Sequence, residues 1–273
     1  MDLRHETTLP GGCRIPFARS GGRAGLPIIL VHGFTDSWRS FAGVIEHLPA
    51  HLPVVAPTLR GHGDADRPSG PYELGTFAGD VVALMDALGV ERAMLVGHSM
   101  GAAICLRAAA DHPRRVAGLG LLGGFATLAG NPVALDLLRE VEGLTDPVDP
   151  GFARSFQEST LARPIPASFL DMVVGESLKV PAFVWQAALA GLFATDTALE
   201  RVAAPALLLW GERDAMFPRA GQEALAAALP TAELTVVRNA GHGLHWEDPA
   251  AIAAELARFH ARLGDAWLSR RAS

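Results

Sequence analysis

The stretch Leu95-Val96-Gly97-His98-Ser99-Met100-Gly101 constrains this chain more than any other. An apolar run, Ala93 to Val96, leads into Gly-x-Ser-x-Gly, and a helix-forming run, Ala102 to Ala110, leads out of it. A strand that passes into a helix through so tight a turn has no room for a side chain two residues before or after the serine. Both positions are glycine. The serine is left at the tip of the turn, beyond the carboxyl end of the strand.

The rest of the chain repeats this strand-to-helix rhythm. Residues 1 to 26 read as a short strand, a Pro10-Gly11-Gly12 turn and a second strand near Cys13 to Ala18, an antiparallel hairpin at a sheet edge. Pro27 to Val31 is continuously apolar, as a strand buried on both faces of a parallel sheet must be, and Val116 to Leu122 is another such run. Further strands are expected at Pro53 to Pro57, Pro205 to Trp210 and Ala232 to Val237. Between them, Trp38, Phe41, Ile45 and Leu48 behind a Ser37 cap fall at helical spacing. So do Leu74, Phe77, Val81, Leu84 and Leu88, which end at Gly89. Helices are also expected at Arg219 to Leu229 and Pro249 to Leu263.

Residues 125 to about 200 break the rhythm. They contain four helical segments, Val133 to Val141, Gly151 to Leu161, Ala167 to Leu178 and Pro181 to Phe193, separated by Pro and Gly. The pattern predicts an α/β fold with a mostly parallel central sheet of about eight strands flanked by helices. Residues 1–124 and 201–273 would form the core, and residues 125–200 an inserted helical cap.

Bulk properties narrow the choice of partner. A net charge of −6 without any basic run disfavours nucleic acid and anionic membranes. No apolar run approaches the roughly 18 residues of a membrane span. Met1 to Glu6 lack the apolar core of a signal peptide, so a cytoplasmic protein is expected. Cys13 and Cys105 are far apart and flanked by apolar residues, which fits buried reduced thiols rather than a disulfide or a metal site. No cofactor or metal is implied, and nothing in the sequence sets an oligomeric state.

In a sheet of this kind the working residues lie on loops past the carboxyl ends of the strands. Four such loops carry suitable chemistry: His32-Gly33-Phe34, Ser99, Asp214 and His242. A serine hydroxyl is a poor nucleophile near neutral pH and needs an adjacent base. His242 would take its proton, and Asp214 would fix the imidazole tautomer and stabilise the imidazolium. Glu212 is expected to point elsewhere in its turn. His245, three residues beyond His242, is expected at the lip of the pocket or capping the last helix. His98 and His62 are expected in packing or supporting hydrogen bonds.

With these residues in hand, the chain resembles an α/β-hydrolase-fold serine hydrolase of the capped, esterase-like type, over essentially its whole length. The matching pieces are His32-Gly33-Phe34, Arg60-Gly61-His62-Gly63, the Gly97 to Gly101 elbow, Gly211-Glu212-Arg213-Asp214, and Gly241-His242 followed by Glu247-Asp248-Pro249. The chain order Ser, Asp, His is that of the family's triad. The resemblance implies an oxyanion hole made by the backbone N–H groups of Met100 and Phe34. It also implies cleavage of a carboxylic ester or lactone through an acyl-serine intermediate. Phe34, Phe125, Phe152, Phe156, Trp185, Phe193 and Trp246 are candidates to line the substrate pocket.

Two further enzyme readings share this apparatus. One is hydrolysis of carbon–carbon bonds in vinylogous diketones, with Trp246 after the histidine and Arg154 or Arg163 meeting a substrate carboxylate. The other is hydrolysis of amides or thioesters. Epoxide hydrolases and haloalkane dehalogenases resemble the chain too, but they carry Asp at the position of Ser99. A small-molecule receptor that kept the fold is the reading from outside enzymology, and its mark would be a broken triad or oxyanion loop.

Overall fold

Asp2–Thr8 (β1) and Arg14–Ser20 (β2) form the expected antiparallel hairpin, with Thr8 opposite Arg14. The computed structural model describes residues 2–194 and 197–271; Thr195 and Asp196, near the end of the expected cap, lie outside the described residues, as do residues 1, 272 and 273. Six more strands follow: Ile28–Val31 (β3), Val54–Pro57 (β4), Ala93–His98 (β5), Val116–Leu122 (β6), Ala206–Gly211 (β7) and Ala232–Val237 (β8). All eight make one sheet in the order β1-β2-β4-β3-β5-β6-β7-β8. β1 and β2 are antiparallel additions at one edge, and β4 through β8 run parallel.

Alternate residues of the central strands feed two separate cores, which is why those strands read as unbroken apolar runs. Ile29, Val31, Leu95, Leu119 and Leu208 pack on one face with Leu74–Ala87 (α2) and Met100–Asp111 (α3). Ile28, Leu30, Met94, Val96 and Leu209 pack on the other with Ala42–His47 (α1) and Pro249–Arg271 (α10). Each such side chain contributes about 1.5–3 kcal/mol by leaving water. The helix expected after Ser37 begins as a 3-10 turn, Trp38–Phe41, before α1. The Ser37 hydroxyl accepts from the Arg39 N–H at 3.2 Å.

Pro132–Glu142 (α4), Pro150–Ser159 (α5), Ala167–Leu178 (α6) and Ala182–Phe193 (α7) are inserted between β6 and β7. Asn131 and Asp149 cap α4 and α5, each with Pro at the helix start. Arg219–Ala228 (α8) joins β7 to β8, and a single helical turn that the sequence pattern does not announce, Leu244–Glu247 (α9), follows β8. Among the described residues no helix is long and apolar enough to cross a membrane.

The strand order places the site. From β3 the chain moves outward to β4, then returns past β3 to form β5 on its other side. The loops leaving β3 and β5 therefore diverge, and a crevice opens between their carboxyl ends. Val31 pairs with Gly97 in this register, so Phe34 and Ser99 leave the sheet side by side.

Candidate active site

The turn after β5 is built around its glycines. A β-carbon on Gly97 would lie 2.2 Å from the backbone of Gly101, and one on Gly101 would lie 2.1 Å from the Val31 carbonyl oxygen. Ser99 has φ 52° and ψ −116°, a conformation that L-residues rarely adopt and that costs about 1–3 kcal/mol. Its N–H is tied to the Leu122 carbonyl of β6 at 2.9 Å, which holds the strained residue in place.

Asp214 and His242 come from the loops after β7 and β8, the second and third strands along the sheet from β5. His242 Nδ1–H donates to Asp214 Oδ2 at 2.9 Å, and both side chains are buried. Asp214 Oδ1 accepts from the N–H groups of Met216 and Phe217 at 2.8 and 3.0 Å. Burial opposes ionisation of this carboxyl, but the attraction of His242 and these hydrogen bonds outweigh it and hold Asp214 below the usual aspartate range. With Nδ1 engaged, His242 Nε2 is left buried and without a partner among the described residues. Ser99 and His242 line the same cavity. Glu212 braces the turn after β8 by accepting from the Asn239 N–H at 3.0 Å, away from the cavity.

The loop after β3 is fixed by histidines. His32 Nε2 accepts from the Leu59 N–H at 2.9 Å, so its Nδ1–H donates to the Gly33 carbonyl at 2.8 Å. His62 packs 5.1 Å from His32 and donates to the Arg60 carbonyl, and burial lowers its pKa to about 4. Phe34 follows, and neither its N–H nor that of Met100 meets an acceptor among the described residues.

His98 donates from Nε2 to the His242 carbonyl at 3.0 Å. Burial, reinforced by His242, pushes its pKa down to about 3, so it is neutral. His245 departs from expectation. It neither lies at the lip nor caps α10: one helical turn, α9, swings it inward to full burial, 4.2 Å from His98 and 5.0 Å from Phe41. Glu247, two residues on, does the bridging instead. It accepts from the N–H groups of Ala162 and Gly241 at 2.7 and 3.2 Å and pairs with Arg163.

The cavity above Ser99 is narrow, about 40 Å³. Of the aromatic candidates, Phe34, Phe125, Phe156 and Trp246 line it. Phe152, Trp185 and Phe193 do not. Trp185 forms a second layer, fully buried with Phe34 at 5.2 Å, Phe156 at 5.4 Å and Phe152 at 5.6 Å. Leu128, Leu189, Leu192, Met216 and Phe217 complete an apolar wall that sequence periodicity did not identify. No lysine or arginine is among the lining residues. Arg154 pairs with Asp171 and Glu158 on the surface, and Arg163 is held by Glu247.

A second feature missed in the sequence is the polar end of this cavity, Asp36 and Gln157. Gln157 Nε2 of α5 donates to Asp36 Oδ1 at 3.1 Å and to Ser177 Oγ of α6 at 2.7 Å. Ser177 Oγ donates to the Val173 carbonyl, so the Thr35 hydroxyl is the donor in its 3.2 Å contact with Ser177. One carboxamide thus ties the loop after β3 to two helices of the insertion.

An α/β sheet with a serine elbow and an Asp–His pair on successive strand ends defines a class of hydrolytic enzyme folds. The alpha/beta hydrolase family model matches residues 28–255, and the chain belongs to that family. The structure is similar to a thermophilic esterase from Thermogutta terrifontis, with TM-score 0.83, 25% identity, and coverage of 96% of this chain and 99% of that one. It is also similar to the esterase RhEst1 from Rhodococcus sp. ECU1013, with TM-score 0.84, 26% identity and coverage of 96% and 100%. In sequence it is 27% identical to the 2-hydroxymuconate semialdehyde hydrolase of Pseudomonas sp. strain CF600, across 96% of this chain and 95% of that protein. The protein is a hydrolase.

Proposed function

We propose that this hydrolase cleaves small, uncharged carboxylic esters or lactones through an acyl-serine intermediate. The reading rests above all on His242, whose Nδ1 is held by Asp214 while Nε2 stands unpartnered in the cavity that contains Ser99. Ser99 Oγ attacks the carbonyl carbon as His242 Nε2 takes its proton. The N–H groups of Phe34 and Met100 meet the oxyanion, each worth about 3–4 kcal/mol in comparable sites. Met100 also opens α3, whose dipole favours the same negative charge. His242 then gives the proton to the departing alcohol oxygen. Water, deprotonated by the same histidine, hydrolyses the acyl ester and restores Ser99. The apolar wall takes the body of the substrate, and residues 125–200 act as the cap that shapes it.

Carbon–carbon bond hydrolysis is the second reading, favoured by the similarity to 2-hydroxymuconate semialdehyde hydrolase and by Trp246 in the cavity wall. The lining residues include no cation to meet a dienoate carboxylate, and this places it second.

A fluorophosphonate probe should label Ser99 and abolish turnover of a short-chain 4-nitrophenyl ester, and Ser99→Ala should lose on the order of 10^6-fold in kcat. Ester hydrolysis that survives in Ser99→Ala would overturn the acyl-serine mechanism. Turnover of vinylogous diketones but not esters would favour the second reading.

A further inference from the structure

Asp36 is an unusual residue to find in an apolar cavity. Its residue is 2% exposed, it lines the cavity with Ser99, and among the described residues no lysine or arginine forms an ion pair with it. Gln157 Nε2 already donates to Oδ1, and the Gly33 backbone also hydrogen-bonds the carboxyl. An ionised carboxylate here would face the apolar wall without a countercharge, a state whose desolvation costs several kcal/mol. Protonated, the same group leaves Oδ1 as the acceptor for Gln157 and frees Oδ2 to carry an O–H. Among the described residues the side-chain hydrogen bond to this carboxyl is the one from Gln157, and it goes to Oδ1.

A β-carbon on Gly33 would lie 3.2 Å from Asp36 Oδ2 and 2.7 Å from His98 Nδ1, so a side chain at this position would crowd the carboxyl. The charged and titratable groups that face Asp36 come from several elements. Glu176 of α6 is buried and neutralised by Lys179 at 2.8 Å and Arg39 at 3.5 Å. His98 of β5 and His242 after β8 face the same cavity. Gln157, Thr35 and Ser177 are neutral and bonded to one another. Burial, with a smaller push from Glu176, raises the Asp36 carboxyl to about 8 against the opposing hydrogen bonds of Gln157 and Gly33.

We propose that Asp36 is the specificity-determining residue of the pocket: it donates a hydrogen bond from its carboxylic acid to a neutral carbonyl oxygen in the body of the substrate. The substrate class would then be uncharged keto-esters or their cyclic equivalents, while substrates carrying a carboxylate are rejected. This rests on the ester-hydrolase reading. A buried donor left unpaired by an all-carbon substrate is the kind of loss that gives strong discrimination, whereas apolar contact alone gives little.

The test is a panel of matched esters. The 4-nitrophenyl esters of 4-oxopentanoic acid, 4-methylpentanoic acid and succinic acid (as the half-ester) place a ketone, a methyl branch and a carboxylate at one position. The pair 4-oxopentyl and 4-methylpentyl butyrate moves the ketone to the alcohol side. At pH 7, kcat/KM for the ketone should exceed that for its isostere at least tenfold in one of the two pairs. The succinate half-ester should fall at least a hundredfold below the ketone after spontaneous hydrolysis is subtracted. Asp36→Leu should bring the ketone-to-isostere ratio to about one. Asp36→Asn, which keeps an N–H donor at the same place, should retain the preference.

The wild-type ratio should decline as pH rises through about 8, and the Asp36→Asn ratio should stay flat. This second measurement decides the matter if Asp36→Leu does not fold. A wild-type ratio near one in both pairs, a ratio that survives in Asp36→Leu, or a wild-type ratio flat from pH 6 to 9.5 would overturn the proposal. Absence of turnover for every ester, together with no fluorophosphonate labelling, would instead overturn the ester-hydrolase reading on which it rests.

Discussion

Gly123 stands so close to His242 that a β-carbon on it would lie 2.8 Å from the imidazole Nδ1 and 3.6 Å from Asp214 Oδ2. It has φ 53° and follows β6 directly, so the Asp–His pair sits in space vacated at the end of the neighbouring strand. Gly123→Ala should push the imidazole off its hydrogen bond. A displacement of this kind costs on the order of 10²-fold in kcat. KM should hardly move, because the substitution touches the proposed base and not the apolar wall. Steady-state kinetics on a short-chain 4-nitrophenyl ester would show the split, and an equal rise in KM would contradict it.

Asp214→Asn retains the shape of the side chain but removes the charge that opposes an imidazolium, and it permits the wrong tautomer of His242. The expected loss is about 10^4-fold in kcat. Fluorophosphonate labelling should slow in parallel, since in the proposed mechanism both reactions draw on the same base. Labelling at the wild-type rate would show that Asp214 does not orient His242.

Trp185 lies behind the cavity wall and supports Phe34 edge-on at 5.2 Å with an interplanar angle of 82°. Trp185→Ala should cost about 3–5 kcal/mol of stability, read from urea unfolding, because the ring is fully buried. It should also lower kcat, since Phe34, the proposed oxyanion donor, loses the ring packed against it. Trp185→Phe, which refills most of the volume, should restore both in large part.

Asp36 carries a stability signature separate from any substrate preference. Its carboxyl is raised in the folded protein to about 8, whereas in the unfolded chain it titrates near 3.9. Between these values the native state binds one more proton than the unfolded state, so stability falls as pH rises across this window. Below pH 4 both states are protonated and the difference vanishes. Asp36→Asn, which never ionises, should therefore gain in Tm over wild type progressively from pH 4 to pH 8. A Tm difference that does not change with pH would show that Asp36 titrates normally.

Much of the architecture was legible because it is written in local patterns. Parallel strands that feed two cores read as unbroken apolar runs, and the glycines at 97 and 101 are forced by backbone approaches of 2.1 to 2.2 Å. Ser99, Asp214 and His242 follow strand ends that can be found by hydrophobicity alone. The pocket was less accessible. α7, Ala182–Phe193, is apolar nearly all round, so no periodicity distinguishes Trp185, turned into the second layer, from Leu189 and Leu192, which reach the cavity. The Asp36–Gln157 bond joins residues 121 positions apart, and neither residue sits in a pattern that predicts the other. His245 was misplaced because a single helical turn carries no repeat to read, yet it decides which way three side chains face.

The place of the four helices between β6 and β7 also has a consequence in time. A ribosome that has released the chain as far as α3 has already delivered Ser99, but Asp214 and His242 lie beyond the whole insertion. Both residues follow β7 and β8, which lie beyond β6 in that order along the sheet. Any reactivity that needs the Asp214–His242 pair is withheld until the last strand docks.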